Sequence, residues 1–397
     1  MQKNFTYRKH FHHYNRNHTL LTADEIELVR SGNDYFTRAL DMINRSKQKI
    51  HLQVYIFIDD STGKSMIEAL KNAAKRKVKV SVLADAFGSH SLSREAISSM
   101  KNSGIKFRTF SPLFVNYRLR FGRRLHHKIL GVDENEALIG GINVEDKYHI
   151  KKEDNTPWLD YAAYIKGPVC KYVDYLCENT WEGKFYAARM NRHQIHYNSE
   201  HKKGIEIRVR QNDWVKKKEG ISRSLRNELR NAHESITIIG AYFLPGRRIR
   251  RLLKAAAARQ VAIKLILQGV SDVLMVRKAT MWWYAWMLRN NIEIYEWKQT
   301  MLHGKITMVD DGWVSIGSCN INHLSDYDSI ETNIDVRDPV FCHTVKQEME
   351  RVIKSAEQVT YSEYHHTMNP FQQFTCWLSF HIIRMLFGLE TLLISKE

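Results

Sequence analysis

At 397 residues the chain has room for about two domains of ordinary size and can bury a real core. Hydrophobic residues at 43% and charged residues at 26% exclude an intrinsically disordered chain, and a formal net charge of +17 calls for an anionic partner. Nucleic acid and an acidic lipid surface both fit that charge, while five cysteines without a Cys-x-x-Cys pair argue against a disulfide framework or a zinc site and suit a reducing compartment.

Residues 1–25 read as a basic tail: MQKNFTYRKHFHHYNRNH has no apolar run, so neither a secretory signal nor an anchor is expected there. His10, His12, His13 and His18 are of metal-binding type, but a solvated tail accounts for them and no metal site is assigned. Residues 26–190 read as an α/β unit. IHLQVYIFIDD (50–60) is a buried strand, Gly63 to Lys75 a helix, VKVSVLADAFG (78–88) a strand, and shorter strands follow at 105–110, 128–133 and 137–141. Among them lies a basic stretch, Arg118, Arg120, Arg123 and Arg124 interleaved with Tyr117, Leu119 and Phe121. It suits an anionic lipid interface, stacked bases or an ordinary solvated loop.

A polar stretch near 190–205 lacks periodicity and reads as a linker. Residues 205–360 then repeat the order of the first unit: a strand at 236–245, a basic helix through Arg259, and strands at 261–272, 292–297, 305–310 and 313–318. Val261 answers Val78 at an offset of 183 residues, and Tyr242 answers Tyr55 at 187. Alternating strands and helices imply βαβ units and a mostly parallel sheet in each half. Between the repeated strands, 274–289 concentrates Trp282, Trp283, Tyr284 and Trp286; core burial is the first reading, a wall for acyl chains the second. Residues 370–397 read as an amphipathic, membrane-associated helix, nearly all apolar from Phe374 to Ile394, with a polar stripe at His381, Arg384, Gly388, Thr391 and Ser395. Arg384 and Glu390 make spanning costly, so an interfacial position is preferred to docking on the body or crossing the bilayer.

Each half carries His-x-Lys-x4-Asp: His126, Lys128 and Asp133, then His303, Lys305 and Asp310, the two histidines 177 residues apart. Residues two apart on a strand share a face, so each His and Lys project together. A Gly turn with an Asn follows each motif, Gly140-Gly141 with Asn143 and Gly317-Ser318 with Asn320. Cleaving a phosphodiester needs a nucleophile able to leave again, an acid for the departing alkoxide, and fixed donors around the phosphate oxygens. Two histidines, two lysines and two asparagines on a pseudo-twofold axis supply all three, so neither a metal nor a cofactor is invoked. One His-x-Lys in a basic chain is chance; two on matching elements of a duplication are not. His127 competes with His126 but lacks the Lys two residues on.

These residues are where the chain resembles the phospholipase D superfamily. The resemblance spans about residues 26–345, and AYFLPGRRIRRLLKAAAARQVAIKLILQGVSD and MLHGKITMVDDGWVSIGSCNIN look like the bacterial cardiolipin synthases within it. It implies two tandem α/β/α halves related by pseudo-twofold symmetry, with the site at their interface. It further implies ping-pong phosphatidyl transfer through a phosphohistidine on His126, with His303 as acid and then base. Lys128, Lys305, Asn143 and Asn320 would hold the phosphate, with Ser318 nearby. Glu331 and Asp160 would orient the histidines, and Asp133 and Asp310 would support the site without carrying protons. Ser329 departs from the Asn that related synthases often have two residues before the Glu, which leaves acceptor choice open. The expected partners are phospholipid substrates and an anionic membrane, at the cytoplasmic face of a bacterial inner membrane. Nucleic acid is disfavoured by the hydrophobic C-terminus. Hydrolysis, a nuclease and a silent membrane-binding module are the rivals.

Overall fold

The computed structural model describes residues 21–111, 114–115, 118–119, 123–149, 156–183, 204–213, 218–322 and 329–394, with backbone alone at 114–115, 118–119 and 387–394. Most of the expected linker, and Arg120, Tyr117 and Phe121 of the basic stretch, lie outside these residues. In chain order the first half runs β1 (Leu21–Ala23), β2 (Glu25–Arg30), α1 (Asn33–Arg45), β3 (Lys49–Val54), α2 (Ser61–Lys75), β4 (Lys79–Asp85), α3 (Arg94–Asn102), β5 (Lys106–Phe110), β6 (Lys128–Val132), β7 (Glu136–Gly140), β8 (Tyr161–Lys166) and α4 (Val169–Glu182). The second runs β9 (Ile205–Asp213), α5 (Gly220–Asn231), β10 (Ser235–Gly240), α6 (Arg247–Ala258), β11 (Ala262–Gln268), α7 (Leu274–Met281), α8 (Tyr284–Arg289), β12 (Ile292–Trp297), β13 (Lys305–Val309), β14 (Trp313–Gly317) and β15 (Ser329–Val336). It closes with α9 (Pro339–Lys354), β16 (Glu357–Val359), α10 (Tyr361–Thr367) and α11 (Pro370–Ile394).

Each half builds one sheet. The first has the order β2-β8-β7-β6-β3-β4-β5, the second β1-β9-β15-β14-β13-β10-β11-β12-β16. The expectation of mostly parallel sheets is corrected: β3-β4-β5 and β10-β11-β12 pair in parallel, while β6-β7-β8 and β13-β14-β15 are antiparallel. The reason is the turn after each motif. Asp133 and Glu134 stand at φ 52° and 56°, Asp310 and Asp311 at 50° and 49°, so two consecutive left-handed residues fold each strand straight back as a hairpin. No crossover helix fits in so short a connection.

The strand Leu21–Ala23, inside the expected tail, is an ordered edge of the second sheet, paired with β9; the chain enters the first sheet only at Glu25. The inner faces of the two sheets share one core, with Ile129, Ile139 and Ala163 meeting Ile306, Ile316 and Ile334, and α4 and α9 adding Val173, Cys177, Val345 and Met349. On the outer faces α1 and α2 pack over Leu130, Leu138 and Ala162, and α5 and α6 over Ile236, Ile238 and Ile263. The helices on either side of each sheet give the expected α/β/α halves. All five cysteines are free thiols.

The Trp-rich segment is two short helices, and it is half core, half shelf. Tyr284 is fully buried and donates to Glu296, while Trp283 stacks edge-on against Phe380 of α11 at 5.3 Å. The C-terminal helix therefore docks on the body, through Cys376 and Ile383, yet keeps Phe371, Phe374, Trp377, Leu378, Met385 and Leu386 exposed. His381 touches the rings of Trp377 and Phe380 and Arg384 is exposed; the side chains of Gly388, Thr391 and Ser395 lie outside those described. Among the described residues no helix is long and apolar enough to cross a membrane.

Candidate active site

The two motif loops are stitched to the opposite halves. His126 follows the two-residue strand Arg124–Leu125, which joins the second sheet beside β15, and its backbone N–H donates to Ile330 O at 3.1 Å. Reciprocally, the N–H groups of His303 and Gly304 donate to Leu159 O of the first half, at 2.7 and 3.0 Å. Strand-like alternation then decides direction. His126 faces the site, while His127 turns into the core between Gln53 (2.8 Å) and Thr332 (3.2 Å).

Both histidines are paired with a carboxylate from the other half. His126 Nδ1 lies 2.8 Å from Glu331 Oε1, and His303 Nδ1 lies 2.6 Å from Asp160 Oδ2. Nδ1–H donates in each pair, which leaves each Nε2 with its lone pair. Burial pushes the His303 imidazole down to about 3 and lowers that of His126 as well, with Lys305 and Lys128 adding to the effect at each. Both rings are therefore neutral at physiological pH. Burial raises the Glu331 carboxyl, but His126, Lys128 and Ser318 outweigh it and hold the group below its ordinary value. Lys128 and Lys305 donate to the carbonyls of His126 and His303, and burial lowers their ammonium groups to about 7 and about 8.

Position sets three of the expected residues apart from the histidines' own chemistry. Asp133 and Asp310 are not near the histidines. Each sits beyond the far end of its strand, about 16 Å along the chain from the Lys at 3.3 Å per residue. There each collects three backbone N–H groups, of Lys47, Gln48 and Lys49 or of His233, Glu234 and Ser235, at 2.7–2.9 Å. Ser318 holds a carboxylate: its hydroxyl donates to Glu331 and accepts from Thr332 N at 3.1 Å. Ser329, the departure noted in sequence, also donates to Glu331, at 2.8 Å. Asn143 is pinned at both ends of its amide, by Ile56 N and Tyr148 OH, each at 3.1 Å. Asn320 is buried, and among the described residues its Oδ1 has no partner.

Sequence reasoning missed the aromatic walls. Tyr148 OH lies 3.2 Å from His303 Nδ1, Trp158 and Tyr242 flank that ring at 6.1 Å, and Tyr55 flanks His126 at 4.9 Å. Tyr55 and Tyr242 carried a signal, since they match across the duplication just past the first strand of each α/β unit. Of the basic stretch, Arg123 pairs with Asp213 and Arg124 lies 3.7 Å from Asp85, so neither is a free cation at the mouth. Remote from the site, His51, Asp174 and Glu178 are close enough to share an ion, but Lys49 Nζ already bonds both carboxylates, at 2.7 and 3.2 Å.

Two neutral imidazoles with free Nε2 atoms, each backed by a carboxylate and flanked by a lysine, can form and break a bond to phosphorus and move the accompanying proton. The family model for "Cardiolipin synthase, PLD-like domain" matches twice, at residues 39–166 and 225–353. The chain is 31% identical to cardiolipin synthase B of Escherichia coli (strain K12) over 372 residues, covering 91% of this chain and 88% of that one. It is 30% identical to cardiolipin synthase B of Salmonella typhi, covering 83% and 81%. The crystal structure of phosphatidylserine synthase from Haemophilus influenzae Rd KW20 has the same fold, with a TM-score of 0.74, 13% identity and coverage of 94% and 97%. Duplicated motif, duplicated fold and these likenesses agree: the chain belongs to the cardiolipin synthase family of the phospholipase D superfamily and is a phospholipid phosphatidyltransferase.

Proposed function

We propose that the protein makes cardiolipin by moving a phosphatidyl group from phosphatidylglycerol, or another phospholipid donor, to the headgroup hydroxyl of a second phospholipid. His126 Nε2 attacks phosphorus, and the donor alkoxide leaves with a proton from His303, which carries it in the substrate-bound state. His303 then takes the proton of the acceptor hydroxyl as its oxygen replaces His126 on phosphorus. Lys128 and Lys305 neutralise the phosphoryl oxygens, and Glu331 and Asp160 orient the two rings. The crossed His–carboxylate pairs carry this reading, because they supply two equivalent proton-managed imidazoles, each within reach of both motif lysines' charge. The curated synthases similar to this chain support the choice of lipid.

A peripheral position on an acidic membrane, at the cytoplasmic face, belongs to the same proposal. The exposed face of α11 runs beside α7, whose Leu274 is 69% exposed, and Phe371 and Phe374 stand out at 74% and 53%. Clustered apolar side chains on a chain of net charge +17 suit an anionic bilayer. The test is product analysis by mass spectrometry after incubation with phosphatidylglycerol in mixed micelles. Cardiolipin with released glycerol is expected. Phosphatidic acid alone would make the protein a hydrolase, and no lipid product would overturn the reading.

A further inference from the structure

The two halves differ at strand positions that their symmetry matches. In the first, the strand positions beyond Lys128 and across from it are Leu130, Leu138 and Ala162, all buried in the outer core. The corresponding positions of the second half are Thr307, Ser315 and Asn333. Polar side chains replace apolar ones, and a cavity of about 510 Å³ opens beneath α5 and α6 with these three on its floor. Its inner end is lined by Lys305 and Asn320. Asn320 Oδ1 is the buried acceptor that has no partner among the described residues.

The mouth differs in the same sense. In the first half α2 is capped by its own acid: Asp60 accepts from Gly63 N at 3.0 Å. At the equivalent place α6 begins at Gly246 without a side-chain cap. Instead Arg247, Arg248 and Arg251 line the mouth, and among the described residues no carboxylate pairs with them. Arginines at a helix N-terminus oppose the helix dipole, so they add nothing to the helix and much to an anion site. The neighbouring Arg250 stacks on Trp283 at 3.9 Å, and Trp283 meets Phe380. The mouth is thus beside the apolar face of α11.

We propose that this cavity is the acceptor subsite, holding the polyol-phosphate headgroup of a second anionic phospholipid. Its phosphate lies among Arg247, Arg248 and Arg251. Its hydroxyl end reaches Asn320, whose Oδ1 accepts from it, and lies beside Lys305, 2.9 Å from His303. The P–O bond forms from that hydroxyl as the P–N bond to His126 breaks, and the proton passes to His303. The assignment rests on the transfer reading above, and it explains why one half alone has lost its apolar filling.

The test uses the full chain and two variants: R247Q/R251Q, which changes only exposed side chains, and T307L/S315L, which restores the first half's filling. With phosphatidylglycerol as donor and acceptor, the phosphatidyl-enzyme partitions between a second lipid and water. Both variants should shift the ratio of cardiolipin to phosphatidic acid at least tenfold toward phosphatidic acid. An unchanged product ratio in R247Q/R251Q overturns the assignment. A wild-type protein that releases no glycerol fails the transfer reading instead. In that case calorimetric titration with glycerophosphoglycerol decides the cavity: tenfold weaker binding to R247Q/R251Q supports it, and equal binding overturns it. Tighter binding of inorganic phosphate than of glycerophosphoglycerol would give the site to free phosphate and overturn the headgroup assignment.

Discussion

At the scale of single residues, the site works by desolvation. Removing Lys128 and Lys305 from water lowers their ammonium groups to about 7 and about 8, and the same burial lowers both imidazoles, that of His303 to about 3. The sign of the pH dependence follows. Below about 7 both lysines are charged, so the phosphate clamp is complete there. Above 7 first Lys128 and then Lys305 loses its proton and the phosphate clamp weakens, so kcat/KM should fall between pH 7 and 9. A rise across that window would contradict the assignment, since kcat/KM reports the free enzyme. The aspartates separate in the same way. Asp160→Asn should lower kcat on the order of 10²–10⁴-fold, the usual worth of a proton-managing group, with little change in Tm. Asp133→Ala should do the reverse, costing about 1–3 kcal/mol of stability through three lost N–H acceptors while kcat is nearly kept; paired thermal melts and assays distinguish them. Spacing in the sequence marked both aspartates of the motifs but not their distance from the chemistry. A strand hides that distance, because five residues carry a side chain to the strand's opposite end. The partner of Ser318 was hidden for a related reason: Glu331 is on another strand, out of reach of any local pattern.

Elements were legible where a period or a repeat exposed them. The strands and helices of the duplicated βα units declared themselves through apolar runs, and the hairpins after each motif did not. What makes those strands antiparallel is two consecutive aspartate or glutamate residues at positive φ, a turn signal weaker than Asn-Gly. The strands Tyr161–Lys166 and Ser329–Val336, which deliver Asp160 and Glu331, were visible only through family resemblance. The C-terminal helix shows the limit of periodicity in another form. Its polar stripe promised an interfacial helix, and the structure gives it a docked face as well, because Trp283 and Ile383 bury what a stripe analysis leaves undecided. A helix docked on one side and apolar on the other should bind membrane without unfolding from the body. Phe371→Ser, Phe374→Ser and Trp377→Ser together remove side chains worth roughly 1.5–3 kcal/mol each on full burial. Flotation with anionic liposomes should drop sharply in the triple variant, while turnover in mixed micelles stays near wild type. Unchanged flotation would move the membrane contact elsewhere.

For the whole molecule, the notable fact is how thoroughly the halves exchange parts. β1 crosses to the second sheet, Arg124–Leu125 pairs with β15, His303 hangs from Leu159, and each histidine takes its carboxylate from the other half. The motifs therefore act as one unit, and removing His126 or His303 should each nearly abolish turnover, with the double variant costing little more than either alone. The same exchange fixes how the protein melts. Ordinary linked domains share modest, polar contacts and unfold separately. Here Ile129, Ile139 and Ala163 lie in one apolar cluster with Ile306, Ile316 and Ile334, so neither sheet has an inner face without the other. Calorimetry should show one cooperative transition instead of two, and Asp133→Ala and Asp310→Ala, in opposite halves, should shift that same transition. Activity followed along the melt should disappear with it, because undocking the halves strips both histidines of their carboxylates at once. Two transitions, or activity lost well before the melt, would mean that the site can come apart while each half stays folded.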